Sequence, residues 1–99
     1  NLRNHLFFEV QVAEAPDATE LEARLAADPG NAEALFQLAL HKVVAKNYVA
    51  AMDLLLQLMQ KDRSYADDAG RRGLLKVFEL LGDDPRVGEY RRRMATLLH

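Results

Sequence analysis

Between Asn31 and Asp62 two runs of helical periodicity follow one another with only Lys46-Asn47 to separate them, and each carries more apolar surface than one partner could cover. The first opens at Asn31, a good N-cap, directly after Asp28-Pro29-Gly30, which cannot continue a helix. Leu35, Leu38 and Ala39 recur on one face, with Phe36, Leu40, Val43 and Val44 on a second. In the second run Tyr48, Ala51, Leu55 and Leu58 share a face, and Met52, Leu54, Leu56 and Met59 add another. A helix apolar nearly all round is buried on more than one side. The two helices therefore predict an antiparallel pair sandwiched between further helices, with Ala39 and Ala51 letting the backbones approach where Leu would hold them apart.

The flanking segments supply those neighbours. Residues 1–14 are ambiguous: Leu2, Leu6, Phe7, Val10 and Ala13 follow a helical period, while Phe8 to Val12 alternate as a strand would. A helix is expected, because hairpin turn chemistry is missing on both sides. Pro16 ends it, Asp17 and Glu20 form a capping-box arrangement, and a short helix is predicted from Ala18 to Ala27 with Leu21 and Leu25 inward. After the central pair, Lys61 to Asp68 reads as a linker ending in an N-cap at Asp67. The helix that follows runs to Leu81 on a stripe of Leu74, Leu75, Phe78 and Leu81, and Gly82 is free to take the positive φ of a C′ residue. Asp83 or Asp84 caps a last helix with Pro85 in its first turn and Val87, Tyr90, Met94, Leu97 and Leu98 as its buried stripe.

Lys46 and Gly82 fall at the same turn position of successive pairs, 36 residues apart. A bulky residue, Leu and a small residue on one helix, facing a small and a large one on the next, resembles the tetratricopeptide repeat, whose period is about 34 residues. The resemblance implies an all-α fold of about six helices, stacked hairpins forming a short right-handed solenoid, as a single domain over residues 1–99. An exposed apolar edge is expected at the N-terminal side, where the first pair is short.

An apolar fraction of 49% with 28% charged residues argues against disorder. With no cysteine, the chain has no disulfide, zinc–thiolate or thiol redox chemistry of its own. No apolar run approaches the ~20 residues of a membrane span. His5, His41 and His99 are far apart and lack partners at ligand spacing; Asp67-Asp68 and Asp83-Asp84 precede helices, where capping accounts for them; Gly70 and Gly73 follow no strand, so they make no phosphate loop. Catalytic, metal and cofactor residues are expected to be none. Residues 1–34 hold two basic and seven acidic side chains, residues 71–99 seven basic and four acidic. The basic end either presents a partner surface or complements neighbouring acidic faces. Arg71-Arg72, Lys76 and Arg91-Arg92-Arg93 have no aromatic residues interleaved as base platforms, so a nucleic-acid partner is not expected.

Helix positions of the central pair that turn away from its own partner, Phe36, Leu40 and Val43, together with Arg72 and Lys76 of the next pair, outline an apolar groove with a basic flank. Such a groove suits extended, partly hydrophobic polypeptide, unless the chain's own N-terminal helices cover it.

The second half carries a closer likeness. Lys61-Asp62-Arg63-Ser64-Tyr65, Asp67-Asp68, Arg71-Arg72, Leu74-Leu75, Phe78 to Asp84, Glu89 to Arg93 and Leu97-Leu98, with Leu25 to Pro29 and Gln37 to Leu40 upstream, resemble the tail of bacterial thioredoxin-like chaperedoxins (YbbN type). The likeness spans nearly everything from Leu21 onward. It implies a cytoplasmic co-chaperone and holdase that binds unfolded clients and hands them to chaperonin and Hsp70-type chaperones, with a thioredoxin-fold domain preceding this chain. It also implicates the last helix, here Tyr90, Arg91, Arg92, Arg93 and Met94, in chaperonin contact. The alternative is a structural scaffold that orients a neighbouring domain or self-associates. Three positions depart from the general repeat: Lys42 for an aromatic, Lys46 for the turn glycine and Arg63 for the closing proline. Phe36 and Leu40 stand where a clamp for acidic chaperone tails needs Lys and Asn, so capture of such a tail is not expected.

Overall fold

The computed structural model describes residues 15–98, and within them the chain is helical with no strand. Five helices follow one another: α1 (Ala18–Ala27), α2 (Ala32–Val44), α3 (Tyr48–Lys61), α4 (Tyr65–Leu81) and α5 (Pro85–Leu97). The helix expected over residues 1–14 lies outside the described residues. Each helix packs on the next, and α2 also meets α4 as α3 meets α5, which is the contact pattern of stacked hairpins.

Side-chain caps set most of the helix starts. Asp17 accepts from the Glu20 amide at 2.9 Å, Asn31 from Ala34 at 3.1 Å, Asn47 from Ala50 at 3.4 Å and Asp84 from Arg86 at 2.9 Å. Glu20 turns to Arg24 at 2.9 Å, which leaves the capping box half made. The pKa of the Asp84 carboxyl, held by the side chain and amide of Arg86, is lowered to about 2. The expected cap at Asp67 is not formed. Ala66, Asp67 and Asp68 all have positive φ, at 48°, 60° and 67°, and Asp68 accepts instead from Arg71 Nε at 2.6 Å. Regular helical geometry resumes at Ala69, after a left-handed turn that strains three residues with Cβ atoms.

The main core runs through α2 to α5: Ala39, Val43, Ala51, Met52, Leu55, Leu74, Val77 and Phe78 are buried in one cluster with Val87, Tyr90 and Met94. A smaller cluster of Leu21, Ala34 and Leu38 seats α1 on α2, and His41 Nε2 donates to the Pro16 carbonyl at 2.7 Å. α3 is covered on both faces, as its composition requires, with Ala51, Met52, Leu55 and Leu58 all at 1% exposure or less. Among the described residues Leu98, at 41%, is the large hydrophobic left exposed, so it does not belong to the buried stripe of α5. In α1 Leu21 is fully buried and Leu25 packs against its cluster, and the rest of the N-terminal side, where an apolar edge is expected, lies outside the described residues.

Candidate protein-binding site

Small residues shape the space between α2 and α4. Gly70 and Gly73 are buried against α3: a Cβ on Gly70 would lie 2.9 Å from Met59 Cγ and 3.3 Å from the Leu55 carbonyl, and one on Gly73 3.1 Å from a Leu55 methyl. α4 therefore seats backbone-close on α3. On its side toward α2 a recess of about 320 Å³ remains, lined by Phe36, Ala69, Arg72, Gly73, Leu75, Lys76 and Glu79. That volume is at the low end for ligand sites.

Phe36 forms the α2 wall, and its ring centroid lies 6.2 Å from that of Tyr65 at 57°, a tilted aromatic pair. Burial pushes the Tyr65 hydroxyl pKa up, with the negative charges of Glu33 and Asp62 adding to the rise. The rim is charged. Arg72 stands 3.6 Å from Asp67, whose side chain is 95% exposed, a surface pair worth little. Lys76 and Glu79 follow along the same helix.

The structure divides the residues expected to form the groove. Phe36, Arg72 and Lys76 come together at the recess. Leu40 and Val43 do not line it; at 2% and 0% exposure they belong to the core, because the same side of α2 meets α4. In α5, Tyr90 and Met94 are likewise buried, and Tyr90 donates to Asp53 Oδ1 at 2.7 Å. Burial, then that hydrogen bond, raises the Tyr90 pKa. Arg91, Arg92 and Arg93 are exposed. Arg91 lies 4.9 Å over the Phe78 ring and Arg93 4.9 Å over Tyr90, and Arg93 also pairs with Glu89 at 3.0 Å. The sequence missed Leu75, Ala69 and Gly73 as lining residues. Leu75 falls on the periodic apolar stripe and reads as core, and nothing but the crowding at Leu55 marks Gly73 as a packing glycine.

Stacked antiparallel hairpins with small residues at the closest crossings are the architecture that the family comparison then identifies: the tetratricopeptide repeat family matches residues 11–99. The chain belongs to that family. A comparison with curated proteins and with solved structures gave no match. As a tetratricopeptide domain the chain is a module for protein–protein interaction, the kind that binds peptide or protein partners. Among the described residues no group of three His, Asp or Glu side chains is arranged to hold a metal, and no helix is long and apolar enough to cross a membrane.

Proposed function

We propose that this tetratricopeptide module holds non-native polypeptide, as the client-binding tail of a cytoplasmic, thioredoxin-like co-chaperone with its redox domain upstream. The observation that carries the reading is the recess between α2 and α4, with Phe36 and Leu75 as apolar walls and Arg72 and Lys76 on its rim. Exposed apolar side chains of an unfolding chain would enter it, because burying them removes apolar area from water at about 25 cal/mol per Å². The likeness of the segment from Leu21 onward to chaperedoxin tails supports the same reading. Docking to chaperonin or an Hsp70-type chaperone would fall to the exposed Arg91, Arg92 and Arg93, since Tyr90 and Met94 are used in the core.

Light scattering of a thermally unfolding client tests the proposal. The chain at equimolar ratio should suppress aggregation, and Phe36→Asp with Leu75→Asp should remove most of that suppression. Both positions are only partly buried, so the fold should survive, as circular dichroism would show. A folded double variant that suppresses as well as the parent rejects the groove as the client site. With purified chaperonin on a biosensor, Arg91→Ser with Arg92→Ser should abolish capture; unchanged capture removes α5 as the docking element.

A further inference from the structure

We infer that the turn at Ala66 to Asp68 is a switch for the recess: wound left-handed, it keeps Tyr65 outside, and wound right-handed, it brings Tyr65 across the mouth and closes the space to polypeptide. The inference rests on the polypeptide-binding reading above and adds to it how access is set.

The observed hand is the strained one. Ala66, Asp67 and Asp68 stand in succession at φ 48°, 60° and 67°, each an unfavourable choice for an L-residue, and no glycine eases the turn. Two ion pairs hold it: Asp68 accepts from Arg71 Nε at 2.6 Å, and Asp67 stands 3.6 Å from Arg72. The second pair requires this hand. On a right-handed helix, residues five apart point about 140° away from each other, so Asp67 and Arg72 would face apart. Tyr65, just before the turn, is half-buried with its ring centroid 6.2 Å from that of Phe36, and it does not line the recess.

The sequence also encodes the other hand. Ser64-Tyr65-Ala66-Asp67 has the spacing of a capping box, which would start a right-handed helix at Tyr65 with two acids in its first turn. In the structure that box is not made: Ser64 caps no amide with its side chain, and its hydroxyl lies 3.3 Å from Asp62. Wound right-handed, the chain puts Tyr65 one turn before Ala69, about 6 Å along the axis and within about 40° of it. Ala69, Arg72, Gly73 and Lys76 share that stripe of α4 and line the recess. Tyr65 would then stand at the end of the stripe. Helical side chains lean toward the N-terminus, so its ring closes the mouth beside Phe36 and leaves the floor empty. The strained hand thus carries the open site and the capped hand the closed one, and a client that enters draws the balance toward the strained turn.

Light scattering of thermally unfolding citrate synthase tests the inference on the full chain. Ala66 is exposed, so its substitution leaves the core alone. Ala66→Val disfavours the left-handed hand, because a β-branched residue tolerates positive φ worst. It should raise the amount of chain needed for half-suppression about fivefold, with helical circular dichroism retained. Adding Tyr65→Ala should restore suppression, since no ring then closes the mouth. Ala66→Gly accepts the left-handed hand freely and should suppress at least as well as the parent. The chain has no tryptophan, so Tyr65→Trp gives a single indole. Ala66→Val should move its emission to shorter wavelength as the ring passes over the apolar recess, and Ala66→Gly should leave it in place. Undiminished suppression by folded Ala66→Val, or a loss that Tyr65→Ala does not reverse, overturns the inference. If Ala66→Val fails to fold, Ala66→Gly decides, and weaker suppression or a shifted emission there overturns it. If the parent suppresses nothing, the polypeptide-binding reading falls and the indole decides the turn alone: an unshifted emission in folded Ala66→Val overturns the switch.

Discussion

The α2–α3 and α4–α5 hairpins share a turn with one residue at positive φ, Lys46 at 64° and Gly82 at 61°, yet they are held together by different means. In the central hairpin, Ala39 and Ala51 are fully buried and the two helices pack more extensively than any other pair. The α4–α5 pair packs least extensively of the helices in contact. Its cross-contacts include a cation over a ring, Arg91 on Phe78, and α5 is tied to α3 rather than to its own partner through the Tyr90–Asp53 hydrogen bond. The central hairpin is thus stabilised by interdigitated apolar volume, each fully buried Leu contributing about 1.5–3 kcal/mol. The α4–α5 hairpin is held more loosely, and α5 carries Arg86, Glu89 and Arg92 to water.

The largest test of that contrast is Ala39→Leu. Three added carbons have nowhere to go between fully buried backbones, so urea denaturation should show a loss of roughly 3 kcal/mol or more. For a domain of this size that is a fall in Tm of at least about 12 °C. A variant as stable as the parent would show that the central pair does not depend on close approach.

A pair of glycine substitutions separates tight from loose packing on a smaller scale. Gly70→Ala sets a Cβ 2.9 Å from Met59 Cγ and 3.3 Å from the Leu55 carbonyl, an overlap that should outweigh the ~1 kcal/mol gain in helix propensity and leave a net loss of about 1–2 kcal/mol. Gly88→Ala in α5 meets only an Arg92 nitrogen at 3.8 Å, so the propensity gain should survive, raising stability by about 0.5–1 kcal/mol. Equal signs for the two in thermal denaturation would erase the distinction between the α3–α4 contact and α5.

These glycines also mark what was legible in the sequence. Apolar periodicity, the caps at Asp17, Asn31 and Asp84, and the turn at Gly82 are local signals, and the helices follow them. The left-handed turn at Ala66 to Asp68 defeated the capping rule at Asp67, because Asp favours an N-cap and a left-handed turn alike and the local sequence does not choose between them. The groove was half legible. Phe36, Arg72 and Lys76 could be placed by repeat position, whereas Leu40 and Val43 lie within a rotation of about 40° of Phe36 about α2 but one and two turns further along it, where they are buried in the core. Periodicity locates a face to within such a rotation but does not say where α4 will cover it.

The smallest effects test the shared turn. Lys46 closes α2 with the amide of Asn47 on the Lys42 carbonyl at 2.8 Å and its own amide on Val43 at 2.9 Å, the two bonds of a Schellman end, with a Cβ-bearing residue at the left-handed position. Its side chain is exposed, so nothing is lost by removing it, and Lys46→Gly should stabilise the chain by about 0.5–1 kcal/mol. Gly82 differs in ψ. At φ 61° and ψ −115° it occupies a region open to glycine but closed to β-branched residues, although no atom stands within 4 Å of where a Cβ would sit. Gly82→Val should therefore cost about 1–2 kcal/mol through the backbone alone, and Gly82→Ala nearly as much. If Lys46→Gly and Gly82→Val shift Tm in the same direction, the two turns do not share the backbone constraint that makes the hairpins comparable.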